Sequence, residues 1–242
     1  MSGVSKGRRT MGKRLRRAKD YGGLVMTPRS TKAHVGSSTL FFFVRHGLTP
    51  TTGAVLPGRA AGLSLSEEGR AQAEATAARL AQVGKVAAVY ASPLERARQT
   101  AAPIARSLGL KPKIDKGLLE CDFGEWTGAE LRKLMKLPEW KTVQRWPSGF
   151  RFPGGESFCE MQARITGTIH RLAAAHRGQS VVLVSHADPI KAAVADALGT
   201  PLDLFQRIVI SPCSITSVSY GPTGPAVLGV NAVGGIGGVK VS

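Results

Sequence analysis

The stretch LFFFVRHG, residues 40–47, joins five consecutive apolar residues to an arginine, a histidine and a glycine. A short run that is apolar on both alternating faces is typical of a central strand in a parallel sheet with helices on both sides. Ligands bind such sheets beyond the carboxyl ends of the strands, which is where Arg45 and His46 lie. The stretch therefore predicts a buried strand that ends at a site.

Two later runs have the same form. VAAVYA (86–91) is followed by a predicted helix with Arg96 in its first turn, and VVLV (181–184) is followed closely by His186. The alternation of such runs with helical patterns predicts one α/β domain, a three-layer α/β/α sandwich with helices on both faces of a mostly parallel central sheet. One edge of that sheet is then expected to collect Arg45, His46, Arg96 and His186.

Local signals predict where the other elements begin and turn. A serine or threonine followed three residues later by glutamate predicts capping boxes at 92–95, 127–130 and 157–160. The turn GPTGP separates SITSVSY (214–220) from AVLGVNAV (226–233) and predicts a late pair of strands.

The positive charge is concentrated at the amino-terminal end of the chain. The formal net charge is +17, and residues 1–38 hold ten Lys and Arg against one Asp, whereas residues 39–242 hold 23 against 15 acidic residues. Residues 1–38 lack regular apolar spacing, which predicts a disordered basic extension ahead of a single domain at 39–242. Without interleaved aromatics or a binding motif, the extension is not expected to bind nucleic acid; an Arg-rich transit peptide is an alternative.

The cysteines and the hydropathy exclude several other classes of protein. Cys121, Cys159 and Cys213 are widely spaced and form no CxxC pair, so neither a disulfide framework nor a zinc site is expected. No apolar run approaches the ~20 residues that a membrane-spanning helix needs. We therefore expect a cytoplasmic protein with no membrane attachment, metal or cofactor, and the sequence indicates no oligomeric state.

Two arginines and two histidines at one sheet edge favour phosphate chemistry. A planar guanidinium donates paired hydrogen bonds to phosphate oxygens, and a neutral imidazole can attack phosphorus to form a phosphohistidine. The leaving alcohol would then need a proton from a nearby acid. Arg96 adds a further signal, because the first turn of a helix disfavours a cation unless an anion binds there.

At this point the chain is seen to resemble the histidine phosphatase superfamily, the phosphoglycerate mutase-like proteins. The resemblance rests on six segments that follow one another in order: RHG (45–47), LPGRAAGLSLSEEGRAQA (56–73), ASPLERARQTA (91–101), LLECDFGEWTG (118–128), FPGGESF (152–158) and VSHADPI (184–190).

The resemblance implies a role for each matching residue. His46 would be the nucleophile that becomes phosphorylated, and Arg45 and Arg96 would bind the phosphate. His186 would hydrogen-bond a phosphoryl oxygen. Glu120 would protonate the leaving group and later deprotonate the attacking water. Arginines lower the pKa of a nearby carboxyl, so Glu120 is expected to be protonated mainly in the substrate complex.

The remaining implied contacts are less uniform within the family. Arg59, in the loop after the first strand, is expected to reach the same pocket. Thr52 stands where many members have an asparagine, and its hydroxyl could donate one hydrogen bond to phosphate. Asp122 and Glu125 are the alternatives to Glu120 as the acid.

The predicted function is a metal-independent phosphatase, a phosphoric monoester hydrolase acting on a small phosphorylated metabolite. GLTPTTG (47–53) lacks the tryptophan–asparagine pair of phosphoglycerate mutases, which favours a phosphatase over a phosphomutase. The phosphomutase is the first alternative, and a non-catalytic basic protein that binds nucleic acid is the second. LPEWKTVQRWPSGFRF (137–152) is interpreted either as a lid over the substrate or as a loop whose aromatics complete the core.

Overall fold

The computed structural model describes Met1, Gly3 and residues 38–234. The predicted disordered extension at 1–38 and any role for it in binding nucleic acid therefore lie almost wholly outside the described residues. No helix among the residues described has the length and apolar character needed to cross a lipid bilayer.

The described residues form six strands and six α-helices. The strands are β1 (Thr39–Arg45), β2 (Val86–Ala91), β3 (Lys113–Ile114), β4 (Ser180–Ser185), β5 (Ile215–Gly221) and β6 (Gly224–Ala232). The helices are α1 (Glu67–Leu80), α2 (Glu95–Ser107), α3 (Leu131–Leu134), α4 (Trp140–Arg145), α5 (Phe158–Ala175) and α6 (Ala187–Ala197).

The strands form one sheet in the order β3-β2-β4-β1-β5-β6. The first four are mutually parallel, and β5 and β6 continue the sheet as an antiparallel hairpin. The predicted fold class and the late strand pair are therefore confirmed.

The apolar run of β1 is explained by its place between two layers of helices. Phe41 and Phe43 pack into the cluster that includes α5 and α6, whereas Phe42 and Val44 pack into the cluster that includes α1 and α2. All four side chains are fully buried. At about 1.5–3 kcal/mol for each large side chain, this burial holds both helical layers onto the central strand.

Only one of the three predicted capping boxes forms. At the start of α5 the Ser157 hydroxyl accepts from the Glu160 N–H, and the Glu160 carboxylate accepts from the Ser157 N–H. The box predicted at 92–95 is wrong because α2 begins only at Glu95. The box at 127–130 is wrong because Thr127 ends a 3₁₀ turn and α3 begins later.

Residues 137–152 complete the core. Phe150 and Phe152 are buried with their ring centroids 4.9 Å apart, and Trp140 stacks on Trp126 at 6.4 Å. Trp146 is 60% exposed, and the residues that line the cleft described below all lie outside this segment. Of the two interpretations, the structure favours the loop whose aromatics pack into the core.

Candidate active site

A cleft of about 370 Å³ opens at the carboxyl ends of β1 and β4. Its walls come from the loop after β1, the first turns of α6, the residues around Glu120 and the segment before β5. The side chains with ionisable or amide groups in these walls are Arg45, His46, Glu120, Asp188, Lys191 and Gln206.

His46 lies at the end of β1 with one ring nitrogen committed to the backbone. Its Nδ1 is 2.8 Å from the Gly47 carbonyl oxygen, which can only accept, so Nδ1 carries the proton and Nε2 keeps a lone pair. Burial and the charges of Arg96 and Arg45 lower the pKa of His46 to about 3. The imidazole is therefore neutral at ordinary pH, and its Nε2 lone pair, which accepts a long hydrogen bond of 3.3 Å from Arg96 Nε, is of the kind that can attack phosphorus.

Gly47 allows the chain to approach α1 closely. A Cβ at this position would lie 2.5 Å from the Gly69 carbonyl oxygen, a distance that only a backbone shift could relieve. The Gly47 N–H donates to the Thr100 hydroxyl at 3.0 Å. The close approach to Gly69 and the bond to Thr100 fix the position of Gly47, whose carbonyl orients the His46 ring.

Arg96 is fully buried in the first turn of α2 and bridges two parts of the site. Its Nε is 3.3 Å from His46 Nε2, and its Nη2 donates to the Gly58 carbonyl at 2.7 Å. Arg45 donates from Nη1 to the Ile210 carbonyl at 2.7 Å. Among the described residues, Arg96 Nη1 and Arg45 Nε are buried with no hydrogen-bond partner.

His186 follows β4 and lies edge-on to His46, with ring centroids 5.1 Å apart. Its Nε2 is 2.8 Å from the Ser92 hydroxyl, and its buried Nδ1 has no partner within the described part of the chain. Burial and the neighbouring cationic groups lower the pKa of His186 well below its usual value. The ring is thus a neutral hydrogen-bonding group beside His46.

Glu120 lies on the cleft wall as a buried acid. Burial raises the pKa of Glu120 to about 7, and the negative charge of Asp188 adds to the rise, although Arg96 and Arg45 oppose it. The expectation that Glu120 is protonated mainly in the substrate complex stays a prediction. In the free protein, desolvation outweighs the arginines and already moves the pKa of this carboxyl toward neutrality.

Two residues expected in the phosphate pocket have other partners. Arg59 does not line the cleft: its Nε donates to the Glu120 carbonyl at 2.9 Å, and its other nitrogens pair with Asp122 and Glu156. In the structure Arg59 therefore does not reach the cleft as the sequence led us to expect. Thr52 does line the cleft, but its hydroxyl accepts from the Thr49 N–H at 2.9 Å.

The alternative acids lie elsewhere. Asp122 pairs with Arg59 at 3.3 Å and accepts from the Gly124 N–H, and Glu125 is exposed. Neither side chain lines the cleft. The geometry leaves Glu120 as the carboxyl beside His46 that carries the raised pKa.

Several residues of the site were not singled out from the sequence. Ser92 holds His186, Thr100 receives the Gly47 N–H, and Asp188 raises the pKa of Glu120. Ser92 was assigned to a helix cap instead, although its position directly after a buried strand was the same signal that marked His46. No group of three His, Cys, Asp or Glu side chains able to hold a metal ion occurs within the described residues.

Comparisons of the sequence with known proteins point to one family. The sequence pattern of the histidine phosphatase superfamily (branch 1) matches residues 41–233. The bifunctional protein Rv2228c of Mycobacterium tuberculosis is 32% identical over 188 residues, which cover 76% of this chain and 51% of that protein. Phosphoserine phosphatase 1 of Hydrogenobacter thermophilus is 35% identical over 145 residues, which cover 58% of this chain and 67% of that enzyme. The chain thus spans about half the length of the mycobacterial relative.

Solved structures share the fold. Mycobacterial glucosyl-3-phosphoglycerate phosphatase Rv2419c superposes with a TM-score of 0.73 and 26% identity, over 81% of this chain and 99% of that one. A phosphoserine phosphatase variant of Entamoeba histolytica superposes with a TM-score of 0.73 over 81% of this chain and 98% of that one. Its identity of 23% limits that likeness to the fold.

Proposed function

The chain belongs to the histidine phosphatase superfamily, and from this membership we propose that it is a phosphatase that hydrolyses a small phosphate monoester through a phosphohistidine on His46. The observation that carries the proposal is the group of side chains around His46: Arg45 lines the cleft with it, and Arg96 and His186 lie against it. The phosphatases among the relatives support the reaction class.

The phosphate dianion binds between the two arginines. Arg45 Nε and Arg96 Nη1 have no acceptor among the described residues, and an unpaired buried donor is costly, about 1–3 kcal/mol for each group. Phosphate oxygens would satisfy both donors. The guanidiniums then supply the positive charge that offsets charge developing on the phosphoryl group, so the proposed reaction needs no metal ion.

His46 then displaces the alcohol. The Nε2 lone pair forms a bond to phosphorus as the bond between phosphorus and the ester oxygen breaks, leaving its electron pair on that oxygen. The Glu120 carboxyl gives its proton to the departing oxygen, so the alcohol leaves neutral. The products of this step are phosphohistidine, free alcohol and the Glu120 carboxylate.

Water reverses the roles of these groups in the second step. The Glu120 carboxylate takes a proton from water while the water oxygen bonds to phosphorus. The bond from phosphorus to Nε2 breaks, and its electron pair returns to His46. Inorganic phosphate leaves, and both side chains regain their starting protonation states, which completes a catalytic cycle.

The volume and the lining of the rest of the cleft limit the size and polarity of the substrate's alcohol group. About 370 Å³ is at the small end of the range for small-molecule sites. Beyond the arginines the walls are mainly apolar, with Leu56, Leu131 and Ile208, and one polar corner is formed by Lys191 and Gln206. A small metabolite fits this space better than a macromolecule.

Hydrolysis of p-nitrophenyl phosphate in EDTA tests the proposal. We expect turnover by the wild type and a loss of about 10⁴-fold or more in His46→Ala, since the nucleophile is removed. His170→Ala is the matched control, because that histidine is exposed on α5 outside the cleft. After a quench with labelled substrate, the wild type and not His46→Ala should retain labelled phosphate.

The same assays separate the alternatives. Interconversion of phosphoglycerates well above the rate of phosphate release would indicate a phosphomutase instead. Salt-sensitive binding of nucleic acid without turnover would indicate the non-catalytic protein. Full activity of His46→Ala would contradict the phosphohistidine.

A further inference from the structure

Glu120 lies in a segment that has little regular structure of its own. It stands between two 3₁₀ turns, Lys116–Leu118 and Gly124–Trp126, and belongs to no strand or α-helix. The sheet touches this segment earlier, where the Ser185 hydroxyl donates to the Leu118 carbonyl at 2.8 Å. The ladder of hydrogen bonds that places His46 therefore does not place Glu120.

Two guanidiniums converge on the backbone of Glu120. Its carbonyl oxygen accepts from Arg59 Nε at 2.9 Å and from Arg164 Nη2 at 3.3 Å. Arg164, on α5, also donates from Nη1 to the carbonyls of Gly117 and Leu119, at 2.9 Å each. One arginine thus bonds three carbonyls, one inside the first 3₁₀ turn and two directly after it.

Glu156 joins the two arginines to each other. Its carboxylate accepts from Arg164 Nε at 2.8 Å and from Arg164 Nη2 at 2.9 Å, and it lies 2.8 Å from Arg59 Nη2. It also accepts from the Asp122 N–H at 3.1 Å. Burial alone would raise the pKa of Glu156, but Arg164, the Asp122 N–H and Arg59 together outweigh it and leave that pKa below its usual value. The carboxylate is therefore charged when it bridges the arginines.

The network bonds the backbone carbonyl of Glu120 and leaves its carboxyl group to other partners. The side chains of Arg59, Glu156 and Arg164 are only 28%, 16% and 21% exposed, so solvent screens the pairs less than it screens surface pairs. The Glu120 carboxylate instead faces the cleft and accepts from the Cys121 N–H at 3.0 Å.

We infer that Arg59, Glu156 and Arg164 form a clamp whose function is to position Glu120 for proton transfer to the leaving group. The inference rests on the proposed phosphatase reaction and adds three positioning residues to it. None of the three lines the cleft. Their effect should therefore depend on how much help the leaving group needs, and not on how tightly phosphate binds.

Two substrates and two variants test the clamp. p-Nitrophenyl phosphate has a good leaving group that needs little protonation, whereas an alkyl phosphate needs the acid fully. In Glu156→Gln and Arg164→Lys we expect kcat/KM for the alkyl phosphate to fall about 10- to 100-fold, since small misplacements of a catalytic group are costly. For p-nitrophenyl phosphate we expect a change within about threefold, and inhibition by inorganic phosphate should stay the same.

Arg171→Lys is the matched control. Arg171 is on the same helix and pairs with Asp115 at 2.5 Å, next to the same 3₁₀ turn, but it makes no bond to Glu120. It should leave both substrates unaffected. A double variant adds a stricter readout: with Glu120→Gln already present, Arg164→Lys should cause no further loss with the alkyl phosphate.

Each outcome decides the inference. Equal losses with both substrates, unchanged kcat/KM with the alkyl phosphate, or full additivity with Glu120→Gln would overturn the clamp while the phosphatase reaction stands. A wild type that hydrolyses neither ester would overturn the proposed function itself, together with the clamp. Thermal unfolding of every variant checks that a fall in kcat/KM does not come from a smaller amount of folded protein.

Discussion

In the proposed reaction, the phosphate side of the site (Arg45, His46, Arg96 and His186) and its acid side (Glu120) are built in different ways. On the phosphate side, regular structure places the groups: His46 N–H donates to the Ser185 carbonyl at 3.0 Å, and Arg96 lies in the first turn of α2. On the acid side, Glu120 is held by Arg59 and Arg164, which come from distant parts of the chain. The proposed reaction would thus depend on groups positioned in two ways. The edge of the sheet positions His46, and an ionic network positions Glu120.

The two constructions should respond differently to substitution. A change on the phosphate side alters a group that every ester needs, so its effect should be the same whatever the alcohol. A change on the acid side should spare esters whose alcohol leaves without protonation. Comparing an activated with an unactivated ester therefore assigns a residue to one side or the other.

Arg96→Ala should give the largest effect that leaves the nucleophile in place. Arg96 contacts His46 Nε2, and its Nη1 has no hydrogen-bond partner within residues 38–234. In the proposed reaction its loss would remove both phosphate binding and charge stabilisation. We expect kcat/KM to fall about 10³-fold for alkyl and p-nitrophenyl phosphates alike. Arg96→Lys keeps the charge without the planar fork and should recover only part of the loss. Losses that differ strongly between the two esters would break the comparison.

Glu120→Gln should give the next largest effect, and an uneven one. The amide keeps the shape of the side chain but has no acidic proton to donate. We expect kcat/KM to fall about 10²- to 10⁴-fold for an alkyl phosphate, and far less for p-nitrophenyl phosphate. Glu125→Gln is the control, because that carboxylate is exposed and lies outside the cleft. A larger loss in Glu125→Gln would show that the acid has been misassigned.

The pH dependence separates the two sides without changing their contacts. Glu120 has a pKa of about 7 and must be protonated to donate. Wild-type kcat/KM for an alkyl phosphate should therefore fall about tenfold per pH unit above that value. His46 has a pKa of about 3 and stays neutral throughout this range. In Glu120→Gln the alkaline fall should disappear, while titration of the substrate phosphate, common to both proteins, serves as the internal reference. An alkaline fall that persists would exclude Glu120 as its source.

The same pKa values predict opposite contributions to stability. The raised pKa of Glu120 gives stability that is present at low pH and is lost as the pH rises through about 7. The lowered pKa of His46 gives stability that is present above its usual value and is lost as the pH falls toward about 3. Chemical denaturation at a series of pH values gives the free energy of unfolding as a function of pH. Glu120→Gln should lose the decrease that occurs as the pH rises through about 7, and His46→Ala should lose the decrease that occurs as the pH falls toward about 3.

The sequence predicted the phosphate side better than the acid side, for a physical reason. Strand runs at 40–44, 86–91 and 181–184 are visible as apolar periodicity, and the parallel sheet then brings whatever follows them to one edge. The fold class is confirmed, and the structure brings Arg45, His46, Arg96 and His186 together, although their catalytic roles stay predictions.

The acid side could not be predicted in the same way. Arg59, Glu156 and Arg164 meet only after the chain has folded, and no local pattern marks them as partners. Arg59 therefore appeared to be a phosphate ligand when only its position after β1 was known. The rise in the pKa of Glu120 could not be predicted either, since burial and the charge of Asp188 depend on packing that the sequence does not display.

One group on the phosphate side also depends on side-chain support. The Arg45 guanidinium is anchored to the Ile210 carbonyl at 2.7 Å, in the segment just before β5. The next residue, Ser211, donates its N–H to Asn231 Oδ1 at 2.6 Å. Asn231 has a φ of 59° where the register of β5 and β6 shifts, and such bulges redirect side chains.

Asn231→Gly should therefore give the smallest effect, and it tests whether the support of Arg45 belongs to the phosphate side or to the acid side. Glycine tolerates the positive φ, so the variant removes the Ser211 bond without adding backbone strain. Loss of one hydrogen bond, about 1 kcal/mol, should weaken inhibition by inorganic phosphate about fivefold. Asn231→Asp keeps both the acceptor and the backbone conformation and should restore wild-type inhibition. Because the effect passes through a phosphate ligand, kcat/KM should fall equally for both esters; a fall confined to the alkyl phosphate would move this support to the acid side.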